Sequence, residues 1–173
     1  SRFVFPGLTR IERRVTLRAA GFAVALFAGG VCMGYFLTLP AAIGAQFGRP
    51  DDTVVAIVGD GGFQMTLPEL ATATVHKLPV KVVVLDNKYL GMVRQWQSLF
   101  FDNRLSGVDL EGNPDFVKLA ESYGMAGFHL RRTADIDKVL TRALKYDAGP
   151  CLVHAEVEKE ENVFPMVPAG AAI

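Results

Sequence analysis

The sequence predicts a doubly wound α/β layer, a mostly parallel sheet with helices on both faces. Three observations carry this. Near-continuous apolar runs lie at Thr53–Val58 and Val80–Leu85, a helix-like stretch separates them, and strand–helix alternation continues to Val157. A helix between two strands needs a crossover, so the pair is expected to be parallel and the connection right-handed.

Each element follows from local chemistry. Residues 1–36 fit neither the strand nor the helix period, so no element is assigned there. Thr38 is the expected cap of a helix over Ala41–Phe47, with Pro40 in its first turn and Gly48 as its stop. Arg49-Pro50-Asp51-Asp52 reads as a turn into a strand, Thr53–Val58, buried on both faces. Beyond Gly59-Asp60-Gly61-Gly62, Thr66 is expected to cap a helix over Leu67–His76, with Glu69 completing a capping box and Pro68 in the first turn. Leu78-Pro79 ends it, and Val80–Leu85 is the next strand. A helix over Pro114–Tyr123 is begun by Asn113-Pro114 and closed by Gly124. A strand at Gly127–Leu130, a helix over Thr133–Tyr146 and a last strand at Cys151–Val157 complete the layer. The tail from Val163 to Ile173, rich in Pro, Gly and Ala, is expected to be irregular.

Composition narrows the function. With 173 residues the chain suits one domain, and 18 basic against 18 acidic residues leave no net charge. Aromatic residues do not interleave with Lys and Arg, so a nucleic-acid partner is not expected. Cys32 and Cys151 lie far apart, form no Cys-x-x-Cys pair and have no zinc-type His spacing, which suggests buried thiols in a reducing compartment. Residues 19–47 are uncharged and follow Arg10, Arg13, Arg14 and Arg18, the flanks of a membrane span. Gly21, Gly29, Gly30, Gly34, Pro40 and Gly44 interrupt that stretch, and membrane association is not expected.

The chemistry concentrates between Gly59 and Trp96. Both apolar runs end in polar residues at the carboxyl edge of the sheet, where open α/β sheets bind ligands. Asp60 and Asn87 are therefore expected to face one crevice. Mg²⁺ takes oxygen ligands and draws one or two from side chains, the rest from phosphate and water. Glycines at 59, 61 and 62 let backbone N–H groups approach phosphates without a Cβ in the way. The implied ligand is a diphosphate carried on a metal ion.

These residues resemble a known family. Gly59-Asp60-Gly61 with Asn87 downstream is similar to the metal–diphosphate signature of thiamine-diphosphate enzymes. The surrounding blocks narrow this: LPAAIGAQFGRPD at Leu39–Asp51, GDGGFQMTLPELATA at Gly59–Ala73, DNKYLGMVRQWQSLFF at Asp86–Phe101, NPDFVKLAESYG at Asn113–Gly124 and FPMVPAG at Phe164–Gly170. Together they resemble the C-terminal domain of acetolactate synthase (acetohydroxyacid synthase) large subunits over residues 37–173. The resemblance implies a thiamine-diphosphate-binding fold in which Asp60, Asn87 and the Tyr89 carbonyl hold Mg²⁺. It places Gly59, Gly61, Gly62, Leu90, Gly91 and Met33 at the cofactor, and Met92 and Trp96 at the substrate pocket. It further implies decarboxylation of pyruvate and condensation with a second 2-keto acid, the entry to branched-chain amino acids.

The match also sets limits. Gly29–Ala45 reads GGVCMGYFLTLPAAIGA where the family reads roughly GGLGTMGFGLPAAIGA, with two residues added between Met33 and Pro40. Residues 1–36 are read as an unmatched segment, either irregular or produced by a frame or junction artefact in the encoding DNA. In this family the glutamate that activates the cofactor lies on another domain and FAD on a middle one. No catalytic residue is therefore assigned here, and the chain alone is expected to be inactive. The expected partners are pyruvate, a second 2-keto acid, the rest of the large subunit, further copies in a homo-oligomer and a regulatory small subunit. The expected location is the cytoplasm, or the plastid for a plant protein. The alternatives are the same domain of a pyruvate oxidase, glyoxylate carboligase or 2-keto-acid decarboxylase, or a non-catalytic cofactor-binding module. His76, His129 and His154 show no partner pattern and read as surface or satisfied core residues. Arg94, Arg104, Arg131 and Arg132 read as solvated or structural.

Overall fold

A computed structural model of the chain describes residues 34–160 and 162–164, with side chains from Leu37 onward. Met33, the unassigned segment before it and most of the Pro-rich tail lie outside the described residues. The described chain is a four-stranded parallel sheet, β1 (Val55–Gly59), β2 (Lys81–Asp86), β3 (Ala126–Leu130) and β4 (Cys151–Glu156), in the order β1-β2-β4-β3. Between the strands run α1 (Gly34–Gly48), α2 (Asp60–Gln64), α3 (Glu69–Val75), α4 (Gly91–Phe100), α5 (Phe116–Ser122) and α6 (Ile136–Leu144), the last preceded by a 3₁₀ turn at Thr133–Asp135. The parallel α/β layer expected from the alternation is the observed fold.

Side-chain alternation along the strands divides the core in two. On one face Ala56, Val58, Val82, Val84 and Leu152 pack with Leu39, Ile43, Phe63, Leu70 and Phe116 from α1, α2, α3 and α5. On the other, Phe128, Cys151 and Val153 pack with Ala143, Val139 and Leu140 of α6. α6 therefore covers only the β3–β4 side, and Ile57 on β1 stays 57% exposed. This corrects the expectation that the first strand is buried on both faces: β1 is an edge strand, and its second face has no helix over it among the described residues. Lys81, inside an otherwise apolar strand, is 3% exposed and donates its ammonium to the Tyr146 carbonyl, and burial pulls its pKa down.

Three helix starts differ from expectation. α1 begins at least four residues before Thr38, so Thr38 is not its cap and Pro40 sits inside the helix. Burying Leu39, Ala42 and Ile43 against the sheet outweighs the hydrogen bond that proline removes. Its end is held by Gln46, 1% exposed, whose amide reaches the carbonyls of Arg49, Pro50 and Asp52. Thr66 does not form a capping box: its hydroxyl donates back to Gly62 and Phe63 carbonyls, and α3 starts at Glu69 with Pro68 at the N-cap position. α5 is capped by Asp115, which accepts from the Val117 and Lys118 amides, leaving Asn113 free for another role.

α5 lies directly on β3. A Cβ on Gly127 would sit 2.6 Å from Val117 Cγ1 and 3.3 Å from Val117 Cα. Gly127→Ala is therefore expected to cost about 1–3 kcal/mol despite the lower entropy of the unfolded alanine chain, checked by urea unfolding.

Candidate functional site

The site is assembled where β1 and β2 end side by side. Pairing in register sets Gly59 opposite Leu85, so Asp60 and Asp86-Asn87 leave the sheet at one edge. Asp60 opens the short helix α2 and is 1% exposed; Asp86 ends β2 and is 4% exposed. A single amide joins them. Asn113 Nδ2 donates to Asp60 Oδ2 at 2.7 Å and to Asp86 Oδ1 at 3.0 Å, and its own Oδ1 accepts from Gln64 Nε2 at 2.7 Å. The Lys88 backbone amide donates to the same two carboxylates, at 3.1 and 3.2 Å. His154 Nε2 lies 2.8 Å from Asp86 Oδ2.

Burial raises the pKa of Asp60 to about 6, and the neighbouring Asp86 adds to the rise while Asn113 opposes it. Burial would raise Asp86 as well. There the hydrogen bonds from His154, Asp60 and Asn113 prevail and hold it below the usual carboxylate range.

The loop after β2 is shaped to present Asn87 and Tyr89. Lys88 takes a left-handed backbone (φ 59°), and Asn87 Oδ1 accepts from the Tyr89 amide at 3.2 Å. The Lys88 carbonyl accepts from Leu110 N and the Val108 carbonyl from Leu90 N, each at 2.8 Å, so the loop is pinned to the 108–110 segment. Two glycines face close side chains of this loop. A Cβ on Gly61 would meet Leu90 Cδ2 at 2.7 Å, and one on Gly91 would meet Asn87 Nδ2 at 3.1 Å. Gly59 has open space around it, and no close approach of chain to chain requires a glycine there.

α4 carries Met92 and Trp96 one turn apart. Met92 is half-buried, while Trp96 is 42% exposed and stacks edge-to-face on Phe100 at 5.6 Å. A cleft at the end of α4 is lined by Gln97, Phe100, Phe101, Asp102 and Arg104, and neither Met92 nor Trp96 lines it. Two glutamines of the same helix act as clamps. Gln95, 2% exposed, exchanges two hydrogen bonds with the Val163 backbone, and Gln97 exchanges two with Ser106. Arg94 is structural, as expected: it pairs with Glu160 at 2.7 Å and stacks over Tyr89 at 4.8 Å.

Reasoning from sequence missed Asn113, Asp86 and His154. Asn113 looked like a helix start, and nothing local links it to two strand ends. His154 is no satisfied core histidine either: its Nδ1 is buried without a hydrogen-bond partner among the described residues.

The residues fit a divalent cation. Two buried carboxylates share one neutral amide, and burial beside Asp86 raises the proton affinity of Asp60, a concentration of negative charge that a cation would neutralise. An ion at Asp60 must displace its proton. Affinity for a divalent cation held there would therefore weaken by about tenfold per pH unit below the value near 6 and level off above it, checked by calorimetric titration with added Mg²⁺ across that range. Without metal the sign reverses for stability. Asp60 contributes most below its ordinary value of 3.8, and that contribution is lost as pH rises through about 6.

A parallel α/β sheet with an acid, an amide and close-packed glycines at the ends of two neighbouring strands defines a ligand-binding domain of the carboxyl-edge kind. The chain belongs to the thiamine pyrophosphate enzymes as their C-terminal TPP binding domain, whose family model matches residues 16–155. It is similar to the acetolactate synthase isozyme 2 large subunit of Escherichia coli (strain K12), 51% identical over 134 residues, 78% of this chain and 24% of that protein. It is 44% identical over 141 residues to the mitochondrial acetolactate synthase catalytic subunit of Saccharomyces cerevisiae, covering 82% of this chain and 20% of that protein. Among solved structures, the Rhodococcus jostii RHA1 thiamine diphosphate-dependent 4-hydroxybenzoylformate decarboxylase aligns with a TM-score of 0.68 at 32% identity, over 75% of this chain and 24% of that one. The chain thus spans about a fifth to a quarter of the length of the relatives it matches. Among the described residues, no helix is long and apolar enough to cross a membrane.

Proposed function

We propose that this chain is the Mg²⁺- and diphosphate-binding part of an acetolactate synthase, the enzyme that decarboxylates pyruvate and joins the remainder to a second 2-keto acid. The observation that carries the reading is the placement of Asp60 and Asn87 after adjacent parallel strands, with Gly61 and Gly91 facing the Leu90 and Asn87 side chains of the loop after β2. Asp60 and Asn87, with the Tyr89 carbonyl, would hold the metal. Gly61 and Gly62 would meet the diphosphate. When bound, the cofactor supplies the carbon nucleophile that makes decarboxylation of a 2-keto acid feasible.

What the chain's own residues do is hold and orient. Asn113 and the Lys88 amide fix both buried carboxylates, and the Asn87–Tyr89 turn sets the loop carbonyl. α4 carries the half-buried Met92 and the exposed Trp96, over which a facing surface from the remainder of the enzyme would close an apolar pocket against water. With only about a fifth to a quarter of the relatives' length, the chain is proposed to bind cofactor without turnover. A second reading, the corresponding domain of a thiamine-diphosphate decarboxylase, is favoured by the structural likeness to such an enzyme. Product analysis of the enzyme reconstituted with its remaining part separates the two.

Calorimetry tests the proposal directly. Thiamine diphosphate added to the chain should release saturable heat with Mg²⁺ present and almost none without it. An absence of heat in both conditions would overturn the cofactor reading.

A further inference from the structure

A second cluster of donors lies on the same sheet edge, beyond Asp86. β3 and β4 pair in parallel with His129 directly opposite His154, so the two imidazoles leave one face of the sheet, their centroids 5.5 Å apart. Glu156 follows two residues along β4 and therefore projects to the same face. His129, His154 and Glu156 each offer one donor atom, and these atoms all lie within 4.8 Å of one another. They line a cleft of about 250 Å³.

His154 is the informative member. It is 6% exposed, and its Nε2 is engaged by Asp86 Oδ2 at 2.8 Å. A carboxylate accepts and does not donate, so the ring proton belongs on Nε2 and the lone pair on Nδ1. That Nδ1 is buried with no hydrogen-bond partner among the described residues. A carboxylate that orients an imidazole while its other nitrogen stays open is the arrangement found behind metal-ligating histidines.

We propose that His129, His154 and Glu156 form a second cation site, for a Zn²⁺-class ion, separate from the one at Asp60 and Asn87. Two imidazoles and a carboxylate suit this ion and leave a fourth position for water. Ligands about 2.0–2.2 Å from a tetrahedral ion stand about 3.4 Å apart, so the cluster must contract on loading. His129 and Glu156 are exposed and can supply that movement, although His129 Nε2 also stands 4.0 Å from Asp115 Oδ1. Glu156 Oε1 accepts from Arg131 Nε at 2.7 Å, an exposed and therefore weak ion pair that leaves the other carboxylate oxygen for the metal.

The test uses the full chain stripped with a chelator. Zn²⁺ titrated against a chromophoric chelator should bind with one-to-one stoichiometry in the presence of excess Mg²⁺, and Co²⁺ at the site should give the visible bands of a tetrahedral ion. His129→Gln and Glu156→Gln, both exposed positions whose substitution spares the core, should each weaken binding by about tenfold or more. Asp60→Ala should leave it unchanged. The proposal is overturned if no stoichiometric Zn²⁺ binds, if both glutamine variants bind as tightly as the parent, or if Asp60→Ala abolishes binding and so assigns the ion to the other site.

Discussion

Asp60→Ala is expected to abolish Mg²⁺-dependent binding of thiamine diphosphate, weakening it by at least about 100-fold, or about 2.8 kcal/mol. The chain itself should survive the change. Asn113 Nδ2 and the Lys88 N–H also reach Asp86, so both keep an acceptor when Asp60 is removed, and what loses its partner is one of the two Asn113 N–H bonds and the Gly61 N–H at the start of α2. Above about pH 6 the substitution even relieves an ionised carboxylate that is 1% exposed. Metal-free melting temperatures should therefore be equal to the parent's or higher in that range, while the upward shift caused by Mg²⁺ with thiamine diphosphate disappears. Calorimetry and thermal melts read the two effects separately. Retained Mg²⁺-dependent affinity in the alanine variant would remove Asp60 from the metal's ligands.

Asn113→Asp is expected to give the largest loss of stability. The new side chain has almost the same shape, but it replaces the one N–H₂ group that bridges two buried carboxylates with a third acceptor. Leaving a buried charge without compensation costs about 3–5 kcal/mol. For a domain of this size that corresponds to a fall in melting temperature of roughly 6–20 °C near neutral pH. Acid should narrow the deficit, because a protonated carboxyl recovers a donor. A pH series of melts distinguishes this from simple loss of shape: a deficit constant across pH would show that charge is not its cause.

Much of the fold was legible because it is written in short-range patterns. The runs at Val80–Leu85 and Cys151–Val157 lie within one residue of the observed strands at both ends, and Gly124 closes α5 with φ +79° as a glycine stop should. Errors fell where tertiary packing overrides local preference. Pro40 reads as a helix start, yet burial of Leu39 and Ile43 carries α1 through it. Thr66 and Glu69 have the spacing of a capping box, yet Thr66 is turned inward against the end of α2. Thr53–Val58 reads as a two-sided buried strand, but its place at the sheet edge is a matter of topology, which hydrophobicity along one segment does not encode.

The site divides along the same line. By itself the sequence determined a parallel α/β layer and the resemblance to a thiamine-diphosphate domain, because strand runs, glycines and motif spacing are properties of neighbouring residues. It also marked Asp60 and Asn87 as the polar ends of two apolar strands. Only the tertiary structure decided that Asn113 bridges Asp60 to Asp86, that His154 backs Asp86, and that His129 stands opposite His154. Those contacts join residues tens of positions apart. They exist because β4 inserts between β2 and β3, and that strand order follows from how the whole chain buries its apolar faces.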